Sequence, residues 1–288
     1  MLPDLTFLDA PAPLWLVVLF LGTVLLAVGL LLHLCYRANL WLLPPTLLLA
    51  CWLLLQSVLA YMGFYTDSYV LPPRLLLFGV VPPLLGLAGL LLTRSGRYLL
   101  ARFDLVALTR ISIVRIPVEL CLYGLALHHL VPDLITFADR NLDLAAGLTA
   151  PLATYWFRTQ LMGRRLLLAW HVGALLLLLN VVALAALSLP TPWQQLEFGQ
   201  PNVAVLRWPF VWLPTFIVPV VLLSHVAALR QLLVPAPPKT APLRAGSGAG
   251  QWHLEPWFIG RSGSRGRVVI DRFLRAKSGT KPTGLADR

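Results

Sequence analysis

The sequence predicts an all-α integral membrane protein with about seven transmembrane helices, its N-terminus outside and its C-terminus cytoplasmic. Three observations predict it. Hydrophobic residues make up 58% of the chain and charged residues only 12%, about half the charge that a water-soluble domain carries. Apolar runs long enough to cross about 30 Å of hydrocarbon recur along the chain. The basic residues of the connecting loops also alternate from one side to the other, as cytoplasmic and outer loops do.

The first span is expected at about 14–34. Asp4 and Asp9 precede it without any Lys or Arg. A secretory signal peptide opens with positive charge, so this span is expected to be retained. The second and third spans are expected at about 41–62 and 74–93, with Pro44-Pro45, Pro72-Pro73 and Pro82-Pro83 at their starts or kinks. Residues 94–107 are too polar to span. There Tyr98, Leu99, Phe103 and Val106 share one face of a short helix expected to lie at the cytoplasmic interface.

The fourth and fifth spans, about 108–131 and 143–162, carry the internal prolines Pro117 and Pro151. The sixth is expected at about 166–189. The seventh, about 208–233, carries Pro209, Pro214 and Pro219. Each internal proline frees a carbonyl that a neighbour must satisfy, and kinked helices suit a cavity or moving parts.

Orientation follows from the arginines. Arg37, Arg94, Arg97, Arg102, Arg110, Arg158, Arg164, Arg165 and Arg230 fall on one side of these spans. Arg74, Arg140 and Arg207 fall on the other, with Asp4, Asp9, Asp67, Asp133, Asp139, Asp143 and Glu197. An excess of Arg marks the cytoplasmic side, which in this composition means the inner membrane of a cell.

Residues 1–234 therefore form the membrane domain, and 235–288 a basic, Pro/Gly/Ser-rich tail expected to be disordered in the cytoplasm. The net charge of +11 is concentrated there and in short loops, which argues against a nucleic-acid partner. Val269, Ile270, Phe273 and Leu274 recur at helical spacing among Arg267, Arg272, Arg275 and Lys277. The bilayer itself is thus the expected partner, and the tail is a candidate ligand for anionic lipid. Cys35, Cys51 and Cys121 show no CxxC or metal spacing and read as small packing residues.

The fourth span holds Arg115, Glu119, His128 and His129. A charge in the middle of a bilayer costs about 2.5–3.5 kcal/mol even on the lenient insertion scale. At 100° per residue Ser112, Arg115, Glu119, His129 and Asp133 fall on one stripe, and His128 points to the opposite side. Arg115 and Glu119 stand four apart and are expected to pair. Arg115, Glu119 and His129 form the candidate buried polar site, read either as a proton relay or as a neutralised pair that pins neighbouring helices.

Asp133, Asp139, Arg140, Asn141, Glu197, Gln200 and Asn202 form a candidate outer vestibule. Histidine and carboxylate are suitable metal ligands, but their spacing here favours a solvated loop in which Asp139, Asn141 or Asp143 caps the fifth span, and no metal site is expected. His171 and His225 are candidate ligands of a b-type haem. Histidines in membrane spans also hydrogen-bond between helices, so no cofactor is favoured. Retinal is excluded, because Lys239, Lys277 and Lys281 all lie in the tail. GxGxxG, GxxxxGK[ST] and HExxH do not occur.

Two stretches, VRIPVELCLYGLALHHLVPDLITFADRNLDLAAGLTAP from Val114 to Pro151 and FGQPNVAVLRWPFVWLP from Phe198 to Pro214, resemble an uncharacterised family of bacterial, Bacteroidetes-type, multi-pass membrane proteins. The similarity runs from the first span to about Leu233. The resemblance implies a membrane protein in which Arg115, Glu119, His129, Asn141, Gln200 and Asn202 belong to shared motifs. The family has no assigned activity, so no mechanism comes with it.

Three functions stay open on the sequence. The leading one is transport of a small polar solute, ion or proton through the fourth span. The others are a non-catalytic scaffold or assembly partner, and a metal- or haem-dependent membrane enzyme. No catalytic motif favours the last.

Overall fold

A computed structural model describes residues 3–67, 70–139 and 141–234. Arg140 and the whole basic tail, with the stretch expected to bind anionic lipid, lie outside the described residues. The described residues are helical, with no strand among them. Helices α1 (Leu14–Arg37) and α2 (Leu43–Tyr61) lead to a π-helical turn at Leu75–Val80, which runs straight into α3 (Val81–Leu92). Next come α4 (Arg94–Arg102), α5 (Leu105–Ile111), a 3₁₀ turn at Ser112–Val114 and α6 (Arg115–Leu127). A loop with a 3₁₀ turn at Asp133–Ile135 leads to α7 (Asp143–Arg158), followed by α8 (Arg164–Leu187). A second π-helical turn, Leu213–Ile217, opens α9 (Val218–Leu233).

The prolines explain much of this segmentation. Pro44, Pro82 and Pro219 sit in the first turns of α2, α3 and α9, where a helix has no use for the missing N–H. Both π-helical turns adjoin prolines: one precedes Pro82-Pro83, and the other contains Pro214 and precedes Pro219. A proline inside a helix removes an i→i−4 bond, and a widened turn absorbs that loss. Pro117 follows the 3₁₀ turn between α5 and α6 in the same way.

Among the described residues, five segments are long and apolar enough to cross a membrane: Leu14–Arg37, Leu43–Tyr61, Leu75–Leu92, Arg164–Leu187 and Leu213–Leu233. The expected fourth and fifth spans do not qualify. The fourth is divided by the 3₁₀ turn into α5 and α6. The fifth holds only the 16 residues of α7, about 24 Å of helix at 1.5 Å per residue, which is short of the hydrocarbon thickness.

The fourth segment is the interior of the molecule, and α7 packs on it with one buried face, leaving Leu148, Leu152 and Tyr155 exposed. α5 and α6 are packed by α1, α7 and α9. At the crossing of α1 and α6, a Cβ on Gly124 would stand 2.5 Å from Leu16 Cδ2, so glycine permits the approach. The outer helices turn leucine outward: Leu25, Leu48, Leu85 and Leu176 are all exposed, a surface that suits lipid and not water.

α4 is a short helix as expected, capped by Thr93 Oγ1 accepting from the Gly96 N–H at 3.1 Å. It ends at Arg102, before the Phe103 and Val106 of the expected face. Gly96 and Leu100 are buried and Tyr98 is exposed, because α4 packs against α3 and α9 and Gln231 Nε2 donates to Leu100 O and Phe103 O at 2.7 and 2.9 Å.

Candidate functional site

Arg115 and Glu119 are both buried, at 2% and 1% exposure, but they do not pair with each other. Arg115 Nη1 donates to Asp143 Oδ1 at 2.8 Å, and Nη2 donates to Ala174 O and His225 Nε2, each at 3.0 Å. Glu119 Oε1 instead accepts from Asn141 Nδ2 at 2.6 Å. The expected pairing is therefore corrected: α7 supplies a carboxylate from outside the helix, and helical spacing carries no information about it. Glu119 Oε2 and Arg115 Nε are buried without a hydrogen-bond partner among the described residues.

The path of the chain explains how Asn141 and Asp143 reach this depth. Eight residues of α6 separate Glu119 from Leu127, about 12 Å of helix, yet Asn141 is back beside Glu119. Residues 128–139 and 141–142 thus fold back along α6, and α7 begins inside the protein. Asn141 Nδ2 also donates to Ile135 O at 2.8 Å, and its Oδ1 accepts from the Asp143 N–H at 2.8 Å, which caps the start of α7. Lower down, Gly147 allows α7 to touch α6, since a Cβ there would stand 2.9 Å from Ile116 Cγ1 and 3.2 Å from Arg115 Cβ.

A chain of hydrogen bonds runs from Arg115 towards the other end of the fourth segment. A guanidinium only donates, so His225 Nε2 is the acceptor and the ring proton sits on Nδ1. That proton is donated to His171 Nδ1 at 2.9 Å. His171 then carries its proton on Nε2 and donates to Thr109 Oγ1 at 3.2 Å, whose hydroxyl donates to Leu105 O at 2.8 Å. The network assigns both tautomers. Both histidines are fully buried, and Trp170 packs edge-on against His171, with ring centroids 4.9 Å apart.

Haem ligation by His171 and His225 does not fit this geometry. Nitrogens that face each other across a metal stand about 4 Å apart at ordinary metal–nitrogen lengths, and these are in direct contact, with both outer nitrogens engaged. Among the described residues no group of three His, Cys, Asp or Glu side chains is placed to hold a metal ion.

The predicted stripe stops at Leu127. His128 caps α6, and His129 takes a left-handed conformation with φ of 57°. His129 is therefore exposed, with Nδ1 against Gln200 Oε1 at 3.0 Å and its ring against Phe7. It is removed from Arg115 and Glu119, because the helix that would have aligned it has ended.

The vestibule residues divide in two. Asp133, Asp139 and Glu197 are exposed. Asn141 and Asn202 are buried, at 1% each. Gln200 pins the end of α6 by donating from Nε2 to Val131 O at 2.6 Å and Ala126 O at 3.3 Å. Asn202 closes α8: its backbone N–H donates to Ser188 O at 2.9 Å, while its Oδ1 has no partner among the described residues.

A cavity of about 330 Å³ adjoins these groups. Arg115, Glu119 and Asp143 lie on one wall, Leu178, Val181 and Ala185 of α8 on a second, and Leu75, Val80, Leu213 and Ile217 of the two π-helical turns on a third. Tyr65, Arg74, Trp193 and Asn202 line its other end. Asp143 was read from the sequence only as an outer charge or cap. Its one sequence signal is its place, an acid opening an apolar segment two residues after Asn141.

Residues 72–233, more than half of the chain, match the model of one protein family, a domain of unknown function (DUF8737). The matched region holds the site but begins after α2, so it is shorter than the resemblance read from the sequence. Neither the curated proteins nor the solved structures contain a match.

Proposed function

We propose a carrier function for this chain, which belongs to the DUF8737 family, a family of unknown function. The reading is transport of a small solute, ion or proton through the buried site, with Glu119 as the group that takes and releases the proton or cation. One observation carries it: Glu119 lines the cavity, and its Oε2 is buried without a partner among the described residues. An ionised Glu119 needs a donor or cation there, and a protonated one needs an acceptor. An unmet bond of this kind costs about 1–3 kcal/mol, more for a charge. Arg115 does not meet the need, because Asp143 already neutralises it. A helix that begins inside the protein, as α7 does, is also a feature of transporter sites.

In this reading the chain crosses a bacterial cytoplasmic membrane seven times, with α5–α6 as the crossing buried by the rest and α7 as a short one packed on it. The N-terminus is outside. Two gatherings of side chains support the orientation. Arg37 pairs with Asp104, Arg102 donates to Ala38 O, and Arg164 donates to Gln231 O at one end. Asp9 pairs with Arg207, and Asp67 with Arg74, at the other.

The test is proton flux in proteoliposomes, read with an enclosed pH-sensitive dye under an imposed pH gradient. The native protein is expected to dissipate the gradient, and Glu119→Gln to lose that flux while remaining monodisperse and helical. Equal flux in both sinks the reading.

A further inference from the structure

We propose that the cavity takes an amphiphile with an apolar body and a cationic, hydrogen-bond-donating head of the alkylammonium type, admitted from the lipid. The inference rests on the reading of Glu119 as the binding group and names the class of molecule that group receives.

The shape of the site sets the body. Its volume, about 330 Å³, lies at the small end of ligand cavities. Two of its walls are aliphatic, made by Leu178 and Val181 of α8 and by the π-helical turns. A sugar or another many-hydroxyl solute would leave most of its polar groups unbonded there, at about 1–3 kcal/mol each. A short alkyl chain loses nothing.

Charge sets the head. Among the described residues of the interior, Arg115 is matched to Asp143 and Glu119 to no cation. The two histidines are held neutral by the hydrogen-bond chain and contribute no charge. Arg74, at the far end of the cavity, is engaged by Asp67 at 2.8 Å and by the face of Phe64. Once ionised, Glu119 is therefore the surplus negative charge among the described residues of the lining. Two buried acceptors on its lining lack donors, Glu119 Oε2 and Asn202 Oδ1, against a single buried donor without an acceptor, Arg115 Nε. An ammonium head supplies both the positive charge and the N–H bonds. A carboxylate head would face Glu119 and be repelled.

The surroundings set the route. Leu76 and Trp193 line the cavity and are also 39% and 51% exposed on the outside of the molecule. The lining thus includes apolar side chains that are also exposed on the outer surface, and in this proposal an amphiphile already in the bilayer enters beside them, tail-first, without leaving the lipid.

The experiment uses the full chain in lipid nanodiscs and three radiolabelled probes of equal chain length: decylammonium, decanol and decanoate, with empty nanodiscs subtracted. Decylammonium is expected to saturate with a single molecule per chain and to bind about tenfold tighter than decanol, and decanoate not to bind above background. Glu119→Gln is expected to lower decylammonium to the affinity of decanol. Ala185→Phe, which fills the cavity from α8 without touching a charged residue, is expected to remove both. Three results overturn the inference: decanol binding as tightly as decylammonium, decanoate binding tightest, or decylammonium binding unchanged in Glu119→Gln. Proton flux without decylammonium binding overturns this inference alone. Decylammonium binding without flux overturns the carrier reading alone.

Discussion

Arg115 and Asp143, 28 positions apart, close a salt bridge of 2.8 Å whose side chains are only 3% and 5% exposed. This pair, and not the nearer Glu119, neutralises the guanidinium. Removing one partner of a buried pair strands the other charge, at about 3–5 kcal/mol, whereas replacing both with apolar groups is often neutral. Asp143→Ala is therefore expected to lower the thermal midpoint of the detergent-solubilised protein sharply. Adding Arg115→Met is expected to recover most of the loss. A double variant as unstable as the sum of the singles would show that the two residues are not coupled.

Asn141 holds three groups at once: Glu119 Oε1, Ile135 O and the Asp143 N–H. Asn141→Ala should cost at least about 2 kcal/mol, since one of these bonds is to a carboxyl group and all three are buried. Amide exchange should quicken across residues 128–142 and the first turn of α7, and stay unchanged in α1. Uniform quickening over the whole chain would show that Asn141 supports general stability and not this segment.

The hydrogen-bond chain fixes proton positions that nitrogen NMR reads directly. His225 should carry its proton on Nδ1 and His171 on Nε2. Arg115→Gln removes the obligatory donor at one end, so His225 should then lose its single tautomer. Mixed tautomers in the native protein would contradict the chain. Thr109→Val, which removes the acceptor at the other end, should disturb His171 before His225.

Tyr65 lies in the loop between α2 and the first π-helical turn, fully buried, with its hydroxyl donating to Gln56 Oε1 at 2.6 Å. Burial pushes its phenol up to about 12, against a small opposing effect of Gln56. The folded form therefore holds this proton more tightly than the unfolded chain, whose phenol titrates near 10. Its contribution to stability is complete below about pH 10 and is lost as pH rises towards 12. Tyr65→Phe should remove the last-titrating phenol from the tyrosinate absorbance curve. The variant should be weaker near neutrality by about 1 kcal/mol for the lost bond, and its alkaline decline should be shallower.

The membrane class was legible because it depends on composition, and composition survives any arrangement of helices. Arg115 and Glu119 stood out for the same reason: a charge in an apolar run is visible without a fold. Their partners were not legible. Periodicity describes one helix, and Asp143, Ala174 and His225 come from three others. His129 was misplaced because the stripe assumed an unbroken helix, whereas α6 ends at Leu127 and the next residues turn back. His171 and His225 were read from the sequence either as haem ligands or as interhelical hydrogen-bonding groups, and the direct contact of their rings fits the second reading.

The fold-back of residues 128–139 and 141–142 also bears on how the protein is made. Arg115, Glu119, Asn141 and Asp143 all belong to one hairpin of α6 and α7, so the guanidinium and its counter-charge leave the ribosome close together. A translocon that released α6 alone would deliver a bare cation to lipid. One that holds α6 until α7 follows delivers a pair already neutral. In the proposed topology the hairpin thus enters the bilayer with Arg115 already compensated by Asp143, and α8 and α9 then add Ala174 O and His225 Nε2 to the same guanidinium.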